Sequence, residues 1–241
     1  MKQLLLLIIL TFTLFANDAR LDKYPQALEW EKTAKVNADS AYNLALIYHS
    51  KIKDTNKAIE FYTTSYKLRQ SSDVANNFGA LYESIKEYDK AIKWYKDAAA
   101  QDHTKSMINL ALLYKKLHQY DDAIFYYKKA YTMGNIGGAN GLGYLYETSL
   151  KDVENAELWY KKATKKGYAK SYKNLAFLNR DRGDKIIGAA WYIALINIKY
   201  SKDKVVNYLK TKWKLTQDDL NKAYKLQQTL EIPKHYTGGI N

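Results

Sequence analysis

Two short patterns of apolar, small and polar positions alternate along the chain. The first reads Ala41-Tyr-Asn-Leu-Ala-Leu-Ile-Tyr48. It returns as Ala75-Asn-Asn-Phe-Gly-Ala-Leu-Tyr82, as Met107-Ile-Asn-Leu-Ala-Leu-Leu-Tyr114 and as Ala139-Asn-Gly-Leu-Gly-Tyr-Leu-Tyr146. A weaker copy runs Tyr172-Lys-Asn-Leu-Ala-Phe-Leu-Asn179. With Leu44, Phe78, Leu110, Leu142 and Leu175 as markers, the periods are 34, 32, 32 and 33 residues. The second pattern reads Ala58-Ile-Glu-Phe-Tyr62, Ala91-Ile-Lys-Trp-Tyr95, Ala123-Ile-Phe-Tyr-Tyr127 and Ala156-Glu-Leu-Trp-Tyr160. A degraded copy follows at Ala190-Trp191-Tyr192, and an extra one, Ala27-Leu-Glu-Trp30, precedes the array. In both patterns the apolar and small residues recur at three- and four-residue steps, which is one face of an amphipathic helix.

Fixed-period alternation of two helices predicts stacked helix pairs. A small residue follows each marker: Ala45, Gly79, Ala111, Gly143 and Ala176. It lets a second helix approach closely, and the tyrosine three residues later fills the groove beside it. Ala58, Ala91, Ala123 and Ala156 serve the same purpose in the second helix. One pair buries little alone, so the pairs must stack into a continuous core. Two more helices are expected after the array, over Asp203 to Trp213 and Thr216 to Leu230. Thr216-Gln-Asp-Asp219 offers a capping-box-like start to the second, with aspartate in the usual glutamate position. About thirteen helices result: one leading helix, five pairs and two closing helices.

Composition agrees with an all-α chain. Of 241 residues, only Pro25 and Pro233 are proline, and both lie near the ends, so nothing inside the array forbids helix. The first sixteen residues stand apart. Met1-Lys2 is followed by an apolar run from Leu4 to Phe15 and then Ala16, the layout of a secretory signal. That run is too short to span a bilayer comfortably. Cleavage after Ala16 is expected, with retention as an anchor the alternative. No transmembrane span is expected after removal. The expected organisation is a signal at 1–16, a lead-in at 17–24, the repeat array at 25–199, closing helices at 200–232 and a flexible tail at 233–241.

The chain has no cysteine. Disulfides, thiolate chemistry and cysteine-ligated zinc are therefore excluded, and stability must come from helix packing. Its net charge of +13 suits acidic partners or anionic surfaces. An exported protein rarely meets nucleic acid, so no nucleic-acid partner is expected.

The small–tyrosine–alanine–tyrosine pattern resembles the tetratricopeptide repeat. The links between pairs look like those of its Sel-1-like branch, as in Ala98-Ala-Ala-Gln-Asp-His-Thr-Lys-Ser-Met-Ile-Asn-Leu110 and Ala163-Thr-Lys-Lys-Gly-Tyr-Ala-Lys-Ser-Tyr-Lys-Asn-Leu175. The turns inside the pairs depart from that branch. Tyr82 to Ala91 and Tyr114 to Ala123 are nine residues apart, whereas Tyr48 to Ala58 and Tyr146 to Ala156 are ten. The resemblance covers about residues 25 to 230. It implies an all-α, right-handed solenoid of antiparallel helix pairs, closed by a polar C-terminal cap.

By the same resemblance, the first helix of each pair lines a concave ligand surface. The residue before each marker is Asn43, Asn77, Asn109, Gly141 and Asn174. Each amide carries two donors and an acceptor, enough to bond a peptide backbone bidentately. The competing reading makes these asparagines consensus residues that bond to neighbouring helices. One turn on come Leu46, Ala80, Leu112, Tyr144 and Phe177, then His49, Glu83, Lys115, Glu147 and Arg180. Lys115, Lys116, Lys170, Lys173 and Arg180 offer contacts to a carboxylate or phosphate. Solvated surface charge explains them too. The fourth repeat crowds Gly134, Gly137, Gly138, Gly141 and Gly143. Close backbone packing or a hinge would explain glycine there.

Catalysis finds little support. His49, His103, His118 and His235 show no metal-ligand spacing, and no glycine loop matches a phosphate cradle. No cofactor is expected. Some Sel-1-like secreted proteins are described as β-lactamase-like, and two Ser-x-x-Lys strings occur, Ser50 to Lys53 and Ser201 to Lys204. A weak amide hydrolase is therefore the enzyme alternative. The expected function is a non-catalytic periplasmic or secreted adaptor that holds a protein or peptide against Asn43, Asn77, Asn109, Asn174, Lys115, Tyr144 and Arg180. The alternative ligand is an anionic envelope polymer, peptidoglycan or lipopolysaccharide.

Overall fold

The computed structural model describes residues 18–233, 235 and 237–240. The expected signal at 1–16 lies outside them. The described residues form thirteen α-helices and no strand. The all-α helix-pair repeat class expected from the sequence is what the structure shows. A leading helix, α1 (Pro25–Thr33), is followed by five pairs: α2 (Ala38–Ile47) with α3 (Thr55–Leu68), α4 (Ser72–Ser84) with α5 (Tyr88–Ala100), α6 (Thr104–Lys116) with α7 (Tyr120–Thr132), α8 (Gly137–Leu145) with α9 (Val153–Thr164), and α10 (Ala169–Asp181) with α11 (Lys185–Ile193). Two closing helices follow, α12 (Lys202–Lys212) and α13 (Gln217–Gln227).

Local chemistry sets the helix ends. Asn37, Asp54 and Asp152 each accept a hydrogen bond from the backbone N–H three residues on, at 2.9, 3.0 and 2.9 Å. Each satisfies a donor that the first turn leaves free. Pro25 opens α1, where its missing N–H is no loss. At α13 the capping box forms in full: Asp219 N donates to Thr216 Oγ1 at 3.1 Å and Thr216 N to Asp219 Oδ2 at 3.0 Å. This helix stops at Gln227, three residues short of the expected Leu230. Beyond it, Gln228, Thr229 and Leu230 bond back only three residues, the tighter winding common at helix ends.

The ten-residue spacings have a structural cause. After α2 the chain continues as a π-turn over Tyr48–Ile52, and after α8 as another over Tyr146–Leu150. One wider turn absorbs the extra residue. Asp54 N then reaches back six residues to Tyr48 O at 3.0 Å, and Asp152 N to Tyr146 O at 2.9 Å. In the nine-residue turns the reach is five, from Glu87 N to Tyr82 O and from Gln119 N to Tyr114 O, both 2.9 Å.

The chain divides into two compact units, ending at His103 and beginning at Thr104. In the first, α1 to α5 pack each on the next. Leu21, Leu44, Tyr48, Tyr62 and Phe78 are buried together, and the Tyr62 and Phe78 rings stack at 5.4 Å. Asp18 sits at one edge, accepting from the Tyr48 hydroxyl at 2.9 Å and from Lys57 Nζ at 3.0 Å. The Arg20 guanidinium beside Asp18 holds its carboxyl far below the usual carboxylate range.

In the second unit, α6 to α11 stack in sequence and α13 returns onto α11. Tyr160, Tyr172, Leu175, Trp191, Leu209 and Leu220 lie in its core. Ile240 joins that core at 2% exposure, and its carbonyl accepts from Gln217 Nε2 at 3.5 Å.

The glycines of the fourth repeat are packed tightly. A β-carbon on Gly138 would lie 2.4 Å from the Tyr127 carbonyl oxygen. One on Gly141 would lie 2.3 Å from Tyr127 Cε1, and one on Gly143 would lie 2.4 Å from Tyr160 Cδ1. Hydrogen fits where a methyl does not, so the second-helix tyrosines rest directly on backbone. Gly134 has φ of 88° in the link before α8, a conformation open to glycine at no steric cost.

Candidate functional site

The expected binding residues lie on the first helices of the pairs, and each unit holds part of the series. In the first unit, Asn43 on α2 is half-buried. Asn77 on α4 is also half-buried, and its amide N–H donates to the Tyr42 hydroxyl, one repeat earlier. Burial pushes the Tyr42 phenol up from its ordinary pKa, so it stays a neutral partner. The next turn carries a second contact type, from first helix to second. Glu83 accepts from the Tyr95 hydroxyl at 2.9 Å, and His49 Nδ1 lies 3.2 Å from the Tyr62 hydroxyl. Burial, followed by the charge of Lys53, lowers the His49 pKa.

In the second unit, Asn109 on α6 is half-buried. Asn174 on α10 donates to Asn140 Oδ1 on α8 at 3.0 Å. Ser171 Oγ shares that acceptor at 2.9 Å. Tyr160 donates to Glu147 at 2.5 Å. The asparagines at 77 and 174 therefore join neighbouring repeats, and the Asn77 carbonyl oxygen also accepts from Asn76 Nδ2 at 3.4 Å. Asn140 was not among the expected site residues. Its signal was the asparagine pair at Asn76-Asn77, since Asn76 and Asn140 share one register position.

Lys115 and Tyr144 are brought together. The Lys115 ammonium lies 3.9 Å from the centroid of the Tyr144 ring, a favourable seat for a cation. Burial lowers the Lys115 pKa. Tyr144 is 46% exposed, and Leu112, at the same register one repeat earlier, is 47% exposed. Arg180 is held elsewhere. Its guanidinium lies 4.8 Å from the Phe177 ring and 5.3 Å from the Trp213 ring, and it pairs with Asp181 at 2.6 Å. A second apolar pair sits on the second helices: Phe125 is 59% exposed and Leu158 48%.

The serines of the Ser-x-x-Lys strings have local roles. Ser50 Oγ donates to the Leu46 carbonyl at 2.6 Å, and Lys53 takes the left-handed conformation that ends the π-turn. Ser201 caps α12, accepting from the Lys204 backbone N–H at 3.4 Å. Among the described residues, no group of three His, Asp or Glu side chains is placed to hold a metal ion. No helix among them is long and apolar enough to cross a membrane.

Comparisons with known proteins agree with this architecture. The tetratricopeptide repeat family matches residues 38–72, 72–102 and 104–133, and the Sel1 repeat family matches 137–168. No curated protein matches the chain. Among solved structures, c5321, a protective antigen of uropathogenic Escherichia coli with an SLR fold, is similar at 23% identity and a TM-score of 0.60, over 85% of this chain and 48% of that one. This chain thus spans about half the length of that relative. A Sel1 repeat protein from Oxalobacter formigenes matches at 19% identity and 0.53, over 80% and 88% of the two chains. Pseudomonas aeruginosa PilF matches at 16% identity and 0.55, over 86% and 92%. At these identities the likeness is one of fold.

Proposed function

From a chain whose residues 38–168 are tetratricopeptide and Sel1 repeats, we propose a non-catalytic adaptor that binds a protein or peptide on its first-helix face. Repeats of these families generally mediate protein–protein binding. The observation that carries the reading is the pair Leu112 and Tyr144. They are large apolar side chains about half exposed at one register of adjacent first helices, beside a lysine that has no acidic partner among the described residues. Apolar anchors next to a poorly solvated charge are typical of binding surfaces. The half-buried asparagines lie on the first helices as well. We place the protein outside the cytoplasm, in the periplasm or secreted, on the strength of the signal-like residues 1–16.

The test is capture of partners from a cell-envelope extract, followed by affinity measurement with Leu112→Asp. A loss of about ten-fold or more supports the adaptor reading, since tenfold is about 1.4 kcal/mol. The lysine-rich surface favours one second reading, an anionic envelope polymer such as peptidoglycan or lipopolysaccharide. Steep weakening of binding with added salt would identify it.

A further inference from the structure

The third repeat breaks a pattern that its neighbours keep. In the other repeats of this type, the residue five places after the marker accepts or shares the hydroxyl of the second-helix tyrosine. Glu83 takes Tyr95, Glu147 takes Tyr160 and His49 faces Tyr62. In the third repeat that position is Lys115, and an ammonium has no acceptor atom. The following repeat also fails to help. The residue before its marker, asparagine in the other four repeats, is Gly141. The result is a Tyr127 hydroxyl that is buried and has no partner among the described residues. Tyr127 as a whole is 1% exposed. An unsatisfied buried hydroxyl is destabilising, and native structures seldom keep one without a reason.

The position that Glu83 and Glu147 fill in their own repeats holds the other unmatched group. Lys115 lies against the Tyr144 ring without an ion pair. Gly141 packs on Tyr127 at Cε1, Cδ1 and Cζ, so no side chain from that position reaches the hydroxyl. The exchange of glutamate for lysine thus removes the internal acceptor and leaves one donor and one cation, and glycine at 141 puts no side chain in its place.

We propose that Lys115, the Tyr127 hydroxyl and the Tyr144 ring form a subsite for a carboxylate carried by the bound partner. One carboxylate oxygen accepts the Tyr127 proton and the other pairs with Lys115, a charge-assisted arrangement. The ligand then stands where Glu83 and Glu147 stand in their own repeats. Leu112 provides apolar contact one repeat earlier on the same face. The Tyr144 ring lies on the Lys115 ammonium and the Tyr127 hydroxyl is buried, so entry requires a change of the Tyr144 or Lys115 rotamer. The inference rests on the reading of the first-helix face as the binding surface.

The full chain, labelled with nitrogen-15, is titrated with sodium acetate and, at matched ionic strength, with sodium chloride. Saturable shifts at the Lys115, Gly141 and Tyr144 amides with acetate alone are the expected result. Tyr127→Phe and Lys115→Glu each weaken acetate binding about ten-fold or more. Lys115→Glu also raises the melting temperature, because its carboxylate accepts the Tyr127 hydroxyl. Acetyl-Ala-Glu-Ala-amide and acetyl-Ala-Ala-Ala with a free terminus then distinguish a side-chain from a C-terminal carboxylate, and tighter binding of either supports the subsite. Absence of saturation, equal shifts with chloride, or unchanged acetate binding in Tyr127→Phe would overturn it. Such a failure would leave the adaptor reading standing, because that reading is tested at Leu112 with a captured partner.

Discussion

The Tyr95 hydroxyl, on the second helix of its pair, donates to the Glu83 carboxylate on the first at 2.9 Å. Tyr95 is buried, so this bond fixes how two helices meet. Glu83→Ala leaves the hydroxyl without its acceptor and should cost about 1–3 kcal/mol. Glu83→Gln keeps an acceptor and should cost clearly less. Urea denaturation of the three proteins checks the order. Equal stability in all three would show that the bond contributes nothing.

Gly143 touches the Tyr160 ring so closely that alanine cannot fit without displacement. Two effects compete in Gly143→Ala. Helix propensity gains about 1 kcal/mol, while overpacking costs about 1–3 kcal/mol. With a β-carbon 2.4 Å from ring carbon, the second effect should win, and the melting temperature should fall. A rise in melting temperature would instead mark these glycines as a hinge that packing does not require.

The periodicity of small and aromatic residues made the helix pairs legible, because each position has one packing partner repeated at a fixed interval. The spacing of Tyr48 to Ala58 and Tyr146 to Ala156 even carried the π-turns, as an extra residue with nowhere else to go. The binding face was less legible. The asparagine series was visible, but not that Asn77 and Asn174 bond to Tyr42 and Asn140 across repeats. Both partners lie one full repeat earlier, and a single pattern does not say which of two facing groups a side chain will choose. The orphaned Tyr127 hydroxyl was hidden for the same reason: it follows from reading Lys115 and Gly141 together against three-dimensional neighbours.

Buried phenols give the protein an alkaline limit. Burial pushes Tyr66 and Tyr172 up to about 12, and raises Tyr62, Tyr95, Tyr127 and Tyr160 further still. An unfolded tyrosine ionises near pH ~10. Folded-state pKa values above the unfolded one mean that stability is full below about pH 10 and is lost as pH rises beyond it. Tyrosinate absorbance and helical circular dichroism should therefore change together on alkaline titration. Full tyrosine ionisation with helicity intact would contradict the burial.

Asn174 and Asn43 should respond differently to truncation. Asn174→Ala removes the bond to Asn140 and should destabilise by about 1–2 kcal/mol. Asn43 makes no side-chain hydrogen bond among the described residues, so Asn43→Ala should stay within about 0.5 kcal/mol. Thermal denaturation separates the two, and equal losses would show that the asparagines have one common structural role.

The central claim is that a partner binds the first-helix face. Phe125 and Leu158 present an equally exposed apolar pair on the second helices, which makes a direct contest available. The measurement is the dissociation constant of a captured envelope partner for Leu112→Asp and for Phe125→Asp, both at exposed sites that tolerate a charge. The account predicts weakening of about ten-fold or more for Leu112→Asp and little change for Phe125→Asp. Unchanged affinity at Leu112, with loss at Phe125, would contradict it.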